Sequence, residues 1–430
     1  MGVSAPPATL PRLLAGMSAS GPLPLARHLE IHGELPAFSR RRHDLGLALV
    51  NELERSALRG RGGAAFPAAT KLTAVAASRG RAVVVVNGCE GEPLSLKDRL
   101  LLERLPHLVI DGALVAAHVV EASEVLIAVD ESATRAVNAT DRALRERPDL
   151  PRGVRLVTVP PGYVSGQESA LVNFLNGGTA KPVWMSSPIY ERGVKGRPTL
   201  VSNVETLAHL ALIARHGAGW FRALGAAGEP GSTLLTVGGA VAYPGVFEIE
   251  TGTQIASLVA AAGGATAEIR AFLVGGYAGT WVPAGVGYEL GLSPEGLYEA
   301  GASLGSGVLF ALPSSACPVS EIAALARWMS GQSAGQCGPC IHGLDAIATA
   351  FEQVRTGAAG DSALAHIRRW ASLASGRGGC AHPDGAARLL TSAIQVFAAE
   401  LADHAQHGPC SGCLQRHLLP TPAPPARRAA

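Results

Sequence analysis

Three short strand-like runs, Ala82–Val86, Val125–Val129 and Arg155–Val159, are separated by stretches with helical spacing at 108–120 and 131–147. A chain with this alternation satisfies both patterns at once as a parallel sheet covered by helices, the α/β class. Ligands of such sheets sit beyond the carboxyl ends of the strands. Two motif-like segments fall there: Asn87-Gly88-Cys89-Glu90-Gly91-Glu92-Pro93 follows the first run, and Pro160-Pro161-Gly162-Tyr163 follows the third.

Upstream lies a glycine-rich loop, Gly60-Arg61-Gly62-Gly63-Ala64-Ala65-Phe66, with Lys71 shortly after. Glycines let main-chain N–H groups approach an anion, and arginine adds fixed charge. The spacing Gly60-x-Gly62-x-x-Ala65 imitates a dinucleotide fingerprint, but the preceding 47–58 segment reads as helix, not strand. The loop reads instead as a phosphate-binding turn of another kind.

From about residue 231 the pattern changes. Runs at Thr233–Val237, Gly245–Ile249 and Ala271–Val274, with a helix near 253–262, suggest a small second module. Segments 322–329, 344–354, 362–373 and 386–401 read as amphipathic helices of a four-helix bundle around the late cysteines.

The 430 residues exceed one ordinary domain, and a 47% hydrophobic share supports a sizeable core. A net charge of +2 without a basic cluster gives no footprint for nucleic acid. The most apolar stretch, 107–129, contains Asp111, His118, Glu121 and Glu124, so it reads as helix then strand and not as a membrane insertion. No secretion signal is evident, and seven cysteines without one argue for metal or redox chemistry in a cytoplasmic protein. The Ala/Pro/Ser-rich residues 1–20 and the Pro/Ala/Arg-rich residues 418–430 are expected to be poorly ordered.

In order, the loop at 60–66, the Asn87–Pro93 segment, Gly162-Tyr163-Val164-Ser165-Gly166-Gln167-Glu168, Gly196–Thr199, Asn203–Thr206, and Cys337-Gly338-Pro339-Cys340 with Cys380 resemble the NADH-binding, FMN-containing subunit of respiratory complex I. The soluble relatives in NAD-linked hydrogenases and formate dehydrogenases are similar too. The resemblance spans about residues 47–401. It implies an FMN-binding α/β domain (44–230) after a variable segment (1–43), a β-grasp SLBB-like module (231–305), a helical iron–sulfur domain (306–406) and a disordered Cys-containing tail (407–430). The implied cofactors are FMN, NAD(H) and a [4Fe–4S] cluster. A hydride would pass from NAD(P)H to FMN, and single electrons to the cluster and a ferredoxin-like or complex I-type partner. The location implied is the cytoplasm, peripheral to the plasma membrane through partners.

Residue by residue, the resemblance assigns cofactor contacts to Gly60, Arg61, Gly62, Gly63, Phe66, Lys71, Asn87, Glu90, Glu92, Tyr163, Gly166, Gln167, Glu168, Ser202 and Asn203. Glu92 and Glu168 are placed nearest the reacting nicotinamide, and Cys337, Cys340 and Cys380 on the cluster. Four departures stand out. Ala65 replaces a glycine, Cys89 an aspartate, Gln167 a glutamate, and Ala334 the first cluster cysteine. The aromatic that stacks on adenine in relatives has no clear counterpart among Trp184 and Tyr190. Three readings of the cysteines stay open: a cluster with a non-cysteine fourth ligand (His342 and His382 lie near), a cluster completed by Cys410 or Cys413, or a degenerate site. Cys317 reads as a buried non-ligand. Rival functions are a ferredoxin-linked flavoprotein and a non-catalytic relay or assembly subunit.

Overall fold

The computed structural model describes residues 9–36, 42–359 and 362–423. Strands β1 (Val83–Gly88), β2 (Glu124–Asp130), β3 (Val154–Val159) and β4 (Thr199–Asn203) form a parallel sheet in the order β3-β2-β1-β4. The alternation seen in the sequence is therefore a doubly covered sheet. On one face Val84 and Val86 pack with helices Pro106–Val119 and Val204–Arg222. On the other, Val83 and Val85 meet Leu171 and Val172 of helix Glu168–Leu175. Gly112 lets the first two helices touch backbone to backbone, because a Cβ there would strike the Leu207 carbonyl.

The pattern of the sequence does not reveal β4, and β4 matters most for the site. The chain leaves β1 toward β2 and β3, then returns to pair β4 on the opposite side of β1. Such a reversal opens a crevice at the carboxyl ends of the two strands it separates. Asn87 of β1 and Asn203 of β4 are register partners at that point.

The second sheet joins β5 (Ser232–Gly239), β6 (Gly245–Glu250), β7 (Ile269–Val274), β8 (Thr280–Pro283) and β9 (Val308–Pro313) in the order β6-β5-β9-β7-β8. Strand β9 lies between β5 and β7, parallel to the first and antiparallel to the second. The module thus reaches residue 313 instead of closing at 305. Helix Ile255–Ala261 packs on it.

Helices Pro318–Gly331, Asp345–Thr356, Ala363–Ala374, His382–Val396 and Ala398–His407 share the third core. The segment read as one helix at 386–401 breaks at Phe397, whose φ of −112° lies outside the helical range.

Both expected floppy ends are corrected within the described residues. Near the N-terminus the Arg12, Leu13 and Leu14 N–H groups donate to Glu248, and Leu13 is fully buried. At the other end the Leu418 and Leu419 N–H groups donate to the Glu321 carboxylate. Tyr277 Oη donates to the Pro420 carbonyl and Trp328 Nε1 to that of Pro422, both at 2.7–2.8 Å. Pro/Ala-rich composition lacks side-chain donors, but its carbonyls satisfy buried ones. Residues 1–8 and 424–430 lie outside the described chain.

Candidate functional site

A cavity of about 680 Å³ occupies the crevice, walled by the 60–66 loop, the segments 87–92 and 163–168, Ser202 and Asn203, and by residues from the second sheet and the bundle. The glycine loop, the Asn87–Pro93 segment, the Tyr163–Glu168 segment and Asn203 converge here, while Gly196–Thr199 and Cys337, Cys340 and Cys380 do not line it.

The glycine loop is closed by the Gly60 N–H donating to the Phe66 carbonyl at 2.8 Å. It lies against the start of helix Val204–Arg222, where a Cβ on Gly62 would sit 3.3 Å from that of Asn203. Asn203 caps this helix, its Oδ1 accepting from the Glu205 and Thr206 N–H groups at 3.0 and 3.4 Å. Its Nδ2 donates to Asp98 at 2.5 Å. Ala65 has φ 50°, a left-handed conformation that a methyl side chain disfavours.

Arg61 borders the cavity, but its guanidinium is bound by the protein itself. It is buried, ion-paired to Glu229, 3.9 Å from Glu205, and donates to the Ser232 carbonyl at 3.3 Å. Its own N–H donates to Thr206 Oγ1 at 2.8 Å. Beside it, buried Lys97 contacts Asp98 at 2.8 Å and Glu205 at 3.0 Å. Although burial alone would lower it, the neighbouring carboxylates raise the Lys97 pKa, and burial raises that of Asp98. Glu205, despite burial, is held low by Lys97 and Arg61. This ionic layer fixes the loop from below, so the loop itself contributes main-chain groups.

The carboxylates after β1 divide their roles. Glu90 accepts from Ser95 Oγ at 2.5 Å and from the Asp98 and Arg99 N–H groups at 3.2 and 3.1 Å, which caps helix Lys97–Arg104. Glu92 accepts from the Leu94 N–H at 3.3 Å and, across to the second sheet, from the Tyr277 N–H at 2.7 Å. Burial pushes its carboxyl up to about 7. Asn87 Nδ2 donates to the Gly166 carbonyl at 2.7 Å, tying two cavity walls together. Gly91 fits against the Tyr163 carbonyl, which a Cβ would approach to 2.6 Å, and a Cβ on Gly166 would strike the Cys89 carbonyl. Burial raises the Cys89 thiol, which is a neutral group here.

The rim is polar and open. Lys71 pairs with Glu168, and Phe66 is 52% exposed. Gln167 stands at the N-cap of helix Glu168–Leu175 without a side-chain capping bond. Trp184 is 86% exposed and, like Tyr190, does not line the cavity.

Tyr163 turns toward the bundle. Its ring meets Trp328 and His382 edge-on at 5.3 and 5.4 Å. His382 bonds the Met329 carbonyl at 2.9 Å, and with Ala381 it lines the cavity immediately after Cys380. Cys337, Cys340 and Cys380 lie close enough to influence one another: burial first, and then its neighbours Cys337 and Cys380, push the Cys340 thiol up to about 12. Ser333 hydrogen-bonds Cys340, an oxygen that no spacing in the sequence marks, since the family motif points to position 334. Three thiolates suit three irons of a cubane, and position 334 leaves the fourth without a cysteine. Completion by Cys410 or Cys413 is excluded by position. Both group with Cys317 at the N-terminal end of helix Pro318–Gly331, whereas Cys337 and Cys340 follow its C-terminal end. His382 bonds the Met329 carbonyl through Nε2, while its buried Nδ1 has no hydrogen-bond partner among the described residues.

Ala334→Cys supplies the missing thiolate. The variant is expected to retain all four irons through anaerobic desalting, where the native chain retains about three. Equal iron in the two proteins would mean that the native chain already completes its own site.

Residues 53–212 match the family model for the Nuo51 FMN-binding domain, 234–276 that for the SLBB domain, and 320–404 that for the NADH-ubiquinone oxidoreductase-F iron-sulfur binding region. The second F-type subunit of NADH-quinone oxidoreductase from Rhizobium meliloti (strain 1021) is 30% identical over 378 residues, covering 84% of this chain and 90% of the relative. The F-type subunit of the Escherichia coli (strain K12) enzyme is 31% identical over 380 residues, covering 82% and 83%. The air-oxidised NAD+-reducing [NiFe]-hydrogenase superposes with a TM-score of 0.80 at 28% identity, over 94% of this chain and 69% of that one.

Proposed function

The chain belongs to the family of F-type subunits of NADH-quinone oxidoreductase, FMN-binding NADH-oxidising proteins with a [4Fe–4S] region, and from that premise we propose how its own residues serve the reaction. The convergence of the 60–66, 87–92 and 163–168 loops on one crevice between β1 and β4 carries the reading. FMN and NADH supply hydride chemistry there when bound, and the cluster supplies single-electron transfer.

The main-chain N–H groups of Gly62 and Gly63, beside the positive end of helix Val204–Arg222, favour phosphate. Asn203 and Ser202 line the phosphate and ribityl side. Lys71, with Glu168, sits where the nucleotide enters, and Phe66 offers an aromatic face. Glu92 and Glu168 orient the nicotinamide end, and Glu90 acts through the helix it caps. Tyr163 and His382 join the cavity to Cys380, which gives electrons a short packed route toward the bundle. The recipient is a ferredoxin-like or complex I-type subunit, which would hold this chain at the cytoplasmic face of the plasma membrane. No helix among the described residues is long and apolar enough to cross a membrane.

An anaerobic absorbance spectrum of the reconstituted protein before and after NADH tests this. Flavin bands that bleach with NADH are expected. Bleaching by dithionite alone would favour a ferredoxin donor. A colourless protein would leave a relay or assembly role.

A further inference from the structure

Four side chains outside the cleft, Cys317, His404, Cys410 and Cys413, place their ligand atoms within 4.8 Å of one another. Cys317 Sγ lies 3.5 Å from Cys413 Sγ and 3.6 Å from His404 Nε2, and Cys413 Sγ lies 4.0 Å from the same ring. A disulfide would need sulfurs roughly 2.05 Å apart. Four donors around one tetrahedral ion, with bonds of roughly 2.3 Å to sulfur and 2.0 Å to nitrogen, stand at about the separations seen. The thiolates of a cubane each bind a different iron, so its sulfurs lie farther apart than those that share one ion.

We propose that Cys317, His404, Cys410 and Cys413 form a Cys3His structural zinc site that fastens the C-terminal strap to the bundle. Three elements deliver the ligands. Cys317 caps helix Pro318–Gly331, accepting the Ser320 N–H at 3.4 Å. His404 lies in the last turn of helix Ala398–His407. Cys410 and Cys413 belong to the tight turn Ser411–Leu414 and its N-cap, in which a Cβ on Gly412 would come 3.1 Å from that of Cys317. The Cys-x-x-Cys spacing over a small-residue turn directs both sulfurs to one point.

Four protein ligands leave no open position, which makes the site structural and not catalytic. Zinc is redox-inert; on binding, the three thiols release their protons to solvent and no electron moves. Three thiolates exceed the zinc charge by one, and the Arg355 cation lies within electrostatic range of Cys317 and Cys413. The site is distinct from the cysteines at the far end of helix Pro318–Gly331, about 20 Å along its 14 residues. Cys317, Cys410 and Cys413 also fall outside residues 320–404 of the iron-sulfur region. Downstream, the strap it anchors bonds Glu321, Tyr277 and Trp328, and Trp328 meets Tyr163 at the cavity wall.

The full chain, produced with zinc available, is assayed for zinc, iron and flavin, and its zinc-edge X-ray absorption is recorded. About one zinc per chain in a shell of three sulfurs and one nitrogen is expected. The Cys410→Ser/Cys413→Ser double variant is expected to lose the zinc while keeping its iron and flavin. Substoichiometric zinc, iron in that shell, a different sulfur count, or a mass after alkylation that reports a disulfide would each overturn the proposal. So would iron falling together with zinc in the variant. The absorption measurement on the unaltered chain decides the matter even if the variant misfolds.

Discussion

Arg61→Met is expected to destabilise the protein by about 3–5 kcal/mol, because it strands Glu229 as an uncompensated buried charge and leaves Glu205 with Lys97 alone. A phosphate-binding arginine would behave differently: its loss would weaken cofactor affinity and leave the protein without cofactor as stable as before. The side chain is only 5% exposed, and its carboxylate partners only 2% and 0%. Lys71→Met is the control. Lys71 is 30% exposed and pairs with a half-exposed Glu168, so its removal is expected to raise the KM for NADH with a melting temperature close to native. Thermal unfolding of both variants in the flavin-free protein separates the roles. A native melting temperature for Arg61→Met would return the guanidinium to the ligand.

The contrast shows where the sequence was legible. Strands β1 to β3 and the motif loops could be read because hydrophobic period and turn residues are local properties. Strand β4 was missed because Thr199–Asn203 is short and merges into a helix cap, so its motif residues masked its strand character. Strand β9 follows the glycines at 301, 305 and 307, and only its pairing with β5 and β7 makes it the centre of a sheet. The direction of Arg61 depends on Glu229, 168 positions away. Cys317 looked inert for the same reason: its companions lie 87 and 96 positions along the chain. Local chemistry identified the cavity walls; long-range ion pairs and ligand sets came only with the fold.

A second large effect is expected at Glu92. Its carboxyl is raised from 4.5 to about 7 by burial, which outweighs the hydrogen bonds from Tyr277 and Leu94. The native state therefore holds a proton between those values that the unfolded chain releases. Stability is greatest below about pH 4.5, falls as pH rises, and has lost its full share, about 3 kcal/mol, once pH passes about 7. Glu92→Gln keeps the acceptor for the Tyr277 N–H and removes the titration. Denaturation midpoints of the two proteins should nearly coincide at about pH 5 and diverge by about pH 8, with the variant the more stable. Parallel profiles would mean that the carboxylate is ionised at little cost. Gly276 sharpens the argument, since a Cβ there would lie 2.6 Å from Glu92 Oε2. The second sheet approaches this carboxyl closely enough to dehydrate it, and so couples the module boundary to the protonation of a residue in the cavity wall.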